Sequence, residues 1–93
     1  MSRIAVQALC MESSQRLRAV IAAWMKEAIR AATMRRIRSL AVEPQRETFV
    51  LKGCCDEFYL RKDAIDAAKL ILGEALDKEL ITDASLTDLI EVC

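Results

Sequence analysis

Leu17–Leu40, Leu-Arg-Ala-Val-Ile-Ala-Ala-Trp-Met-Lys-Glu-Ala-Ile-Arg-Ala-Ala-Thr-Met-Arg-Arg-Ile-Arg-Ser-Leu, carries the reading on which the fold turns. At 100° per residue, Leu17, Val20, Ile21, Trp24, Met25, Ala28 and Ile29 share one broad face, and Arg16, Lys26 and Arg30 the opposite one. Past Thr33 the apolar stripe changes sides. Met34, Ile37 and Leu40 project where the basic residues were, and Arg35 and Arg36 project where the apolar ones were. A straight helix on one core cannot satisfy both halves: it breaks near Ala32–Thr33, or it leaves its core and meets a second surface. No Gly or Pro occurs there to force a break. The second option is therefore the expectation, with the helix running on until Val42–Glu43 ahead of Pro44.

Outward from that segment, the second half reads as a hairpin and helices. Glu47–Lys52 and Phe58–Lys62 are rich in strand formers and flank Gly53-Cys54-Cys55-Asp56-Glu57. Asp63 is a candidate N-cap for a helix from Ala64 to about Leu80, with Ile65, Ala68, Leu72, Ala75, Leu76 and Leu80 as its seam. Glu74–Lys78 is an i,i+4 pair on it, Leu70 is an exposed apolar residue, and Gly73 would mark a close backbone approach. Ser85-Leu86-Thr87-Asp88 reads as a capping box opening a short last helix that turns Leu86, Leu89 and Ile90 inward. The expected fold is mainly α (α+β): a long N-terminal amphipathic helix, a β-hairpin, then one long and one short C-terminal helix. All 93 residues form one small domain, with a basic helical half (1–43) and an acidic half of hairpin plus helices (47–93).

Charge divides along the same line. Residues 1–46 hold nine Lys/Arg against three Glu, and residues 47–93 hold five Lys/Arg against eleven Asp/Glu, although the net charge is zero. Such halves fit docking between copies or onto a protein partner, or a basic helix that meets nucleic acid. The apolar fraction is 54%, but 14 of those residues are Ala and only four are aromatic, so the core is thin and a partner is expected to cover apolar surface. No apolar run reaches the ~20 residues a membrane-spanning helix needs.

The chemistry expected of an enzyme is missing. There is no His to act as general base, and the two Gly are too far apart for a phosphate loop or dinucleotide fingerprint. Neighbouring Cys54 and Cys55 cannot readily bridge each other, and no C-x-x-C pair offers a zinc site. Cys10, Cys54, Cys55 and Cys93 are read as reduced thiols of a cytoplasmic protein. No enzyme, cofactor, metal, membrane or small-molecule substrate is expected.

The leading expectation is a protein-interaction module (adaptor, inhibitor or subunit of a larger assembly), homo-oligomeric, with Met34, Ile37, Leu40, Arg35 and Arg36 at the contact. The alternative is a nucleic-acid-binding regulator using Arg30, Arg35, Arg36 and Arg38. Over some ten residues, Phe58-Tyr59-Leu60-Arg61 and Ser85–Ile90 are similar to the strand and second helix of ribbon–helix–helix repressors. The helix between them is several residues too long for that family, and the chain is not assigned to it.

Overall fold

The computed structural model describes residues 3–45, 47–81 and 84–93, with only the backbone described for 3–14. Helix α1 (Arg3–Ala32) leads into strand β1 (Arg38–Pro44). Then come strand β2 (Thr48–Cys55), helix α2 (Phe58–Asp77) and strand β3 (Ser85–Val92). The sheet order is β1-β2-β3, with β1 antiparallel and β3 parallel to β2. Two helices and a three-stranded sheet replace the expected long helix, hairpin and two C-terminal helices.

The first correction lies inside the opening segment. α1 stops at Ala32 without Gly or Pro. Met34 N–H donates to the Ala31 carbonyl (3.5 Å) and Arg35 N–H to the Arg30 carbonyl (2.9 Å), the paired bonds of a Schellman motif. The two residues that make this turn are left-handed, Met34 at φ 53° and Arg35 at φ 61°. Buried Thr33 locks it, its Oγ1 donating to the Ile29 carbonyl at 2.7 Å. The change of apolar side is therefore the break itself. Beyond it the chain becomes β1, where a register irregularity between Arg38 and Ala41, with Ser39 at φ 53°, redirects the strand.

The hairpin is also displaced. It joins β1 to β2 through Gln45, whose N–H donates to the Thr48 carbonyl at 2.8 Å, and Gly53–Cys55 belongs to β2 rather than to a turn. Gly53 is required there: a Cβ would stand 2.6 Å from Ile37 Cγ2 and 3.2 Å from the Arg38 carbonyl oxygen, at φ 159°. Phe58–Lys62, expected as a strand, is the start of α2, so Asp63 lies inside the helix and is not its cap. The 3.6-residue spacing of Leu60, Ala64, Ala67, Ala68, Leu72 and Ala75, all buried, explains why helix wins over the strand propensity of Phe58 and Tyr59. Gly73 faces open space, so no close approach accounts for it.

Ser85–Asp88, expected to open a helix, starts β3. Its period is two: Leu86, Asp88 and Ile90 are more covered than Ser85, Thr87, Leu89 and Glu91. Thr48 Oγ1 and Thr87 Oγ1 meet at 2.9 Å across β2 and β3, and Ser85 N–H donates to the Glu47 carbonyl at 2.9 Å.

Both helices cover one face of the sheet. Ile21, Met25 and Ile29 from α1, Leu60, Ala64, Ala68, Leu72 and Ala75 from α2, and Phe49, Leu51, Cys55 and Ile90 from the sheet make one core, joined by Ile37 and Ile81. The other sheet face has no layer over it among the described residues; it carries Lys52, paired to Glu43 at 3.0 Å, with Cys54 and Glu91 in register beside it. Trp24, expected on the core face of α1, lies on its flank and is half exposed. Among the described residues no helix is long and apolar enough to cross a membrane.

Candidate interaction surface

The end of α1, the end of β2 and the start of α2 come together at one end of the molecule. Two contacts pin them, and a third ties the start of α2 to β3. Arg36 Nη1 donates to the Tyr59 hydroxyl at 2.6 Å, with its guanidinium 6.0 Å from the ring centroid. Arg38 Nη2 bonds Asp56 Oδ1 at 3.0 Å and approaches Cys54 Sγ at 3.7 Å. Arg61 lies 5.8 Å from the Phe58 ring centroid and pairs with Asp88 Oδ2, at 2.6 Å from Nη2.

Around these contacts large apolar groups stand in solvent. Met34 is 84% exposed, Phe58 67% and Tyr59 50%. Arg35 and Arg36 are exposed beside Met34 on the same turn. The patch thus combines a flexible thioether, two aromatic rings and a basic rim, a composition enriched where proteins bind proteins.

The expected contact residues divide. Met34, Arg35 and Arg36 lie together on the surface. Ile37 is buried and Leu40 packs against the core, so both serve folding rather than contact. The turn after Thr33 separates them by putting Met34 outside and returning the chain inward at Ile37. Of the four arginines considered for nucleic acid, Arg30 pairs with Glu27 at 2.8 Å, Arg36 with Tyr59 and Arg38 with Asp56. Arg35 is the one of the four with no ion-pair or hydrogen-bond partner for its side chain among the described residues.

Phe58 and Tyr59 were missed as surface residues because their propensity placed them in a strand. Their mark in the sequence is the Leu60–Ala64–Ala67 spacing, which leaves both off the buried stripe of α2. The expectation of four reduced thiols also needs correction. Cys54 and Cys93 are joined in a disulfide with a Cα–Cα distance of 6.2 Å, whereas Cys55 is a free, buried thiol of the core. Cys10 lies among residues whose side chains are not described. No group of three or more metal-ligating side chains occurs among the described residues.

The opposite end of α2 is acidic. Glu74, Asp77 and Glu79 are exposed there, with Leu70 (72% exposed) and Leu76 close by in the helix. At 1.5 Å per residue Glu74 and Asp77 stand roughly 22–27 Å along the axis from Tyr59. No family model, curated protein or solved structure matches the chain.

Proposed function

We propose that this protein is a non-enzymatic interaction module of a cytoplasmic assembly, and that its first partner is a second copy of itself. One observation carries the reading: Met34, a large apolar side chain, is held out in solvent on a turn of two consecutive left-handed non-glycine residues. Each costs about 1 kcal/mol or more. A backbone strained to expose an apolar group is the signature of a contact residue rather than of a core one. The basic, apolar end at Met34–Arg35 complements the acidic, apolar end at Leu70, Glu74 and Asp77. A two-fold arrangement of copies would make that contact twice.

Sedimentation velocity at rising protein concentration tests this at two salt concentrations. A dimer is expected that weakens as salt screens the two ends, and Met34→Glu should weaken it at least tenfold, about 1.4 kcal/mol. A clean monomer at high concentration in both salts sinks the reading. Nucleic acid is the weaker reading, because three of its four arginines are already occupied within the chain. A low-salt gel shift that fades steeply with added salt would reverse that order.

A further inference from the structure

The Cys54–Cys93 pair does not sit where a core staple would. It ties β2 to the residue after β3, closing a separation of 39 residues that includes all of α2, on the sheet face that carries no helix layer. The core thiol beside it, Cys55, takes no part. Cys93 is exposed and Cys54 half-buried, and a shallow depression of about 410 Å³ reaches Cys54 between Ser39, Lys52, Leu89 and Glu91. Arg38 places Nη2 3.7 Å from Cys54 Sγ, and the same nitrogen is held by Asp56 Oδ1 at 3.0 Å. Cys93 lacks such a cation among the described residues. When the disulfide opens, the negative charge that forms is best stabilised on the Cys54 sulfur.

We infer that Cys54 and Cys93 form a thiol–disulfide exchange site for low-molecular-weight disulfides, with Cys54 as the attacking thiolate, Cys93 as the resolving thiol and Arg38 as the positioning residue. The reduced pair carries two thiols. The Cys54 thiolate attacks one sulfur of a small disulfide RSSR, the S–S bond breaks, and RS⁻ leaves with its electron pair, giving a mixed disulfide on Cys54. Cys93, deprotonated to solvent, then attacks Cys54 Sγ and expels the second RS⁻. Two electrons pass from the protein to RSSR, which is released as two RSH. A surface pair of this kind belongs to the labile, exchangeable class of disulfide, which in reducing compartments forms only transiently. The inference does not depend on self-association.

The probe is glutathione. The wild-type protein, equilibrated in buffers of graded reduced-to-oxidised glutathione and quenched with an alkylating reagent, should pass from an intact Cys54–Cys93 bond to two free thiols within that range. In a Cys10→Ser/Cys93→Ser background, oxidised glutathione should leave one glutathione adduct, mapped by mass spectrometry to Cys54. Adding Arg38→Ala should slow its formation on the order of fivefold, with Arg38→Lys restoring most of the rate and circular dichroism verifying the fold of each variant. A pair that stays oxidised in every glutathione buffer, or an adduct rate indifferent to both Arg38 substitutions, overturns the assignment.

Discussion

The two helices end alike and pay differently for it. At the end of α2, Glu79 N–H donates to the Leu76 carbonyl (3.1 Å) and Leu80 N–H to the Ala75 carbonyl (2.9 Å), the same pair of bonds that closes α1. There a single left-handed residue suffices, Glu79 at φ 57°, and the chain returns to the core at Leu80 and Ile81. α1 uses two, Met34 and Arg35, and anchors the turn with a buried threonine where α2 has exposed Lys78. A helix can be stopped at the cost of one strained residue. The second strained residue at α1, Arg35, is surplus to stopping it, and the left-handed Met34 before it holds an apolar side chain outward where α2 has Glu79. On the proposed reading, that surplus sets the end of α1 apart from an ordinary helix end.

Substitution at equivalent positions can break the comparison. The largest effect on stability is expected at the two residues just before the left-handed turn. Thr33→Ala removes a buried hydroxyl bonded to the Ile29 carbonyl and leaves a small void, and should cost about 1–2 kcal/mol in urea unfolding. Lys78→Ala, exposed at the matching position of α2, should stay within about 0.5 kcal/mol. Equal losses would mean that Thr33 is not the anchor of α1.

Glycine at the left-handed positions comes next. Met34→Gly and Glu79→Gly should each stabilise the monomer by up to about 1 kcal/mol, since glycine adopts positive φ without the Cβ penalty, although its greater freedom in the unfolded chain offsets part of the gain. The two must then diverge in sedimentation. Met34→Gly should weaken self-association strongly, and Glu79→Gly should weaken it only slightly, through the loss of one charge at the acidic end. Matching behaviour of the two variants would dissolve the distinction.

This contrast also shows where the sequence was legible. The change of apolar side after Thr33 marks the end of α1 correctly, and only the absence of Gly and Pro argued for carrying the helix onward. Left-handed Met and Arg are tolerated there because the Schellman bonds and Thr33 compensate locally, which composition does not reveal. Of the seam expected for α2, Ala68, Leu72 and Ala75 are buried, whereas Leu76 is exposed and Ile65 and Leu80 are only partly covered. Phe58 and Tyr59 concealed the first turns, with Leu60, Ala64 and Ala67, because their strand propensity outweighed the helical spacing. In Ser85–Asp88, residues suited to a helix start were equally suited to a strand that alternates Leu86, Asp88 and Ile90. Parallel pairing with β2, 37 residues earlier at Thr48 and Ser85, decides between them. Met34, Arg35 and Arg36 could be found from local pattern. The two aromatic residues were marked only by the Leu60–Ala64–Ala67 spacing, and the disulfide required knowledge of which distant segments meet.

The smallest effect concerns charge at the same two helix ends. In the last turn of α1, Arg30 pairs with Glu27 at 2.8 Å, whereas the Glu74–Lys78 pair expected near the end of α2 is not formed. Both α1 partners are substantially exposed, so the pair is worth no more than a few tenths of a kcal/mol. Arg30 also interacts favourably with the carbonyl end of its helix whether or not Glu27 is present. Glu27→Gln should therefore lower stability by about 0.3 kcal/mol at low salt and by nothing measurable at high salt, and Glu74→Gln should be silent in both. A loss above about 1 kcal/mol for Glu27→Gln would show that ionic contact, rather than the Thr33 anchor, holds the strained end of α1, and the difference between the two helix ends would then have an electrostatic cause.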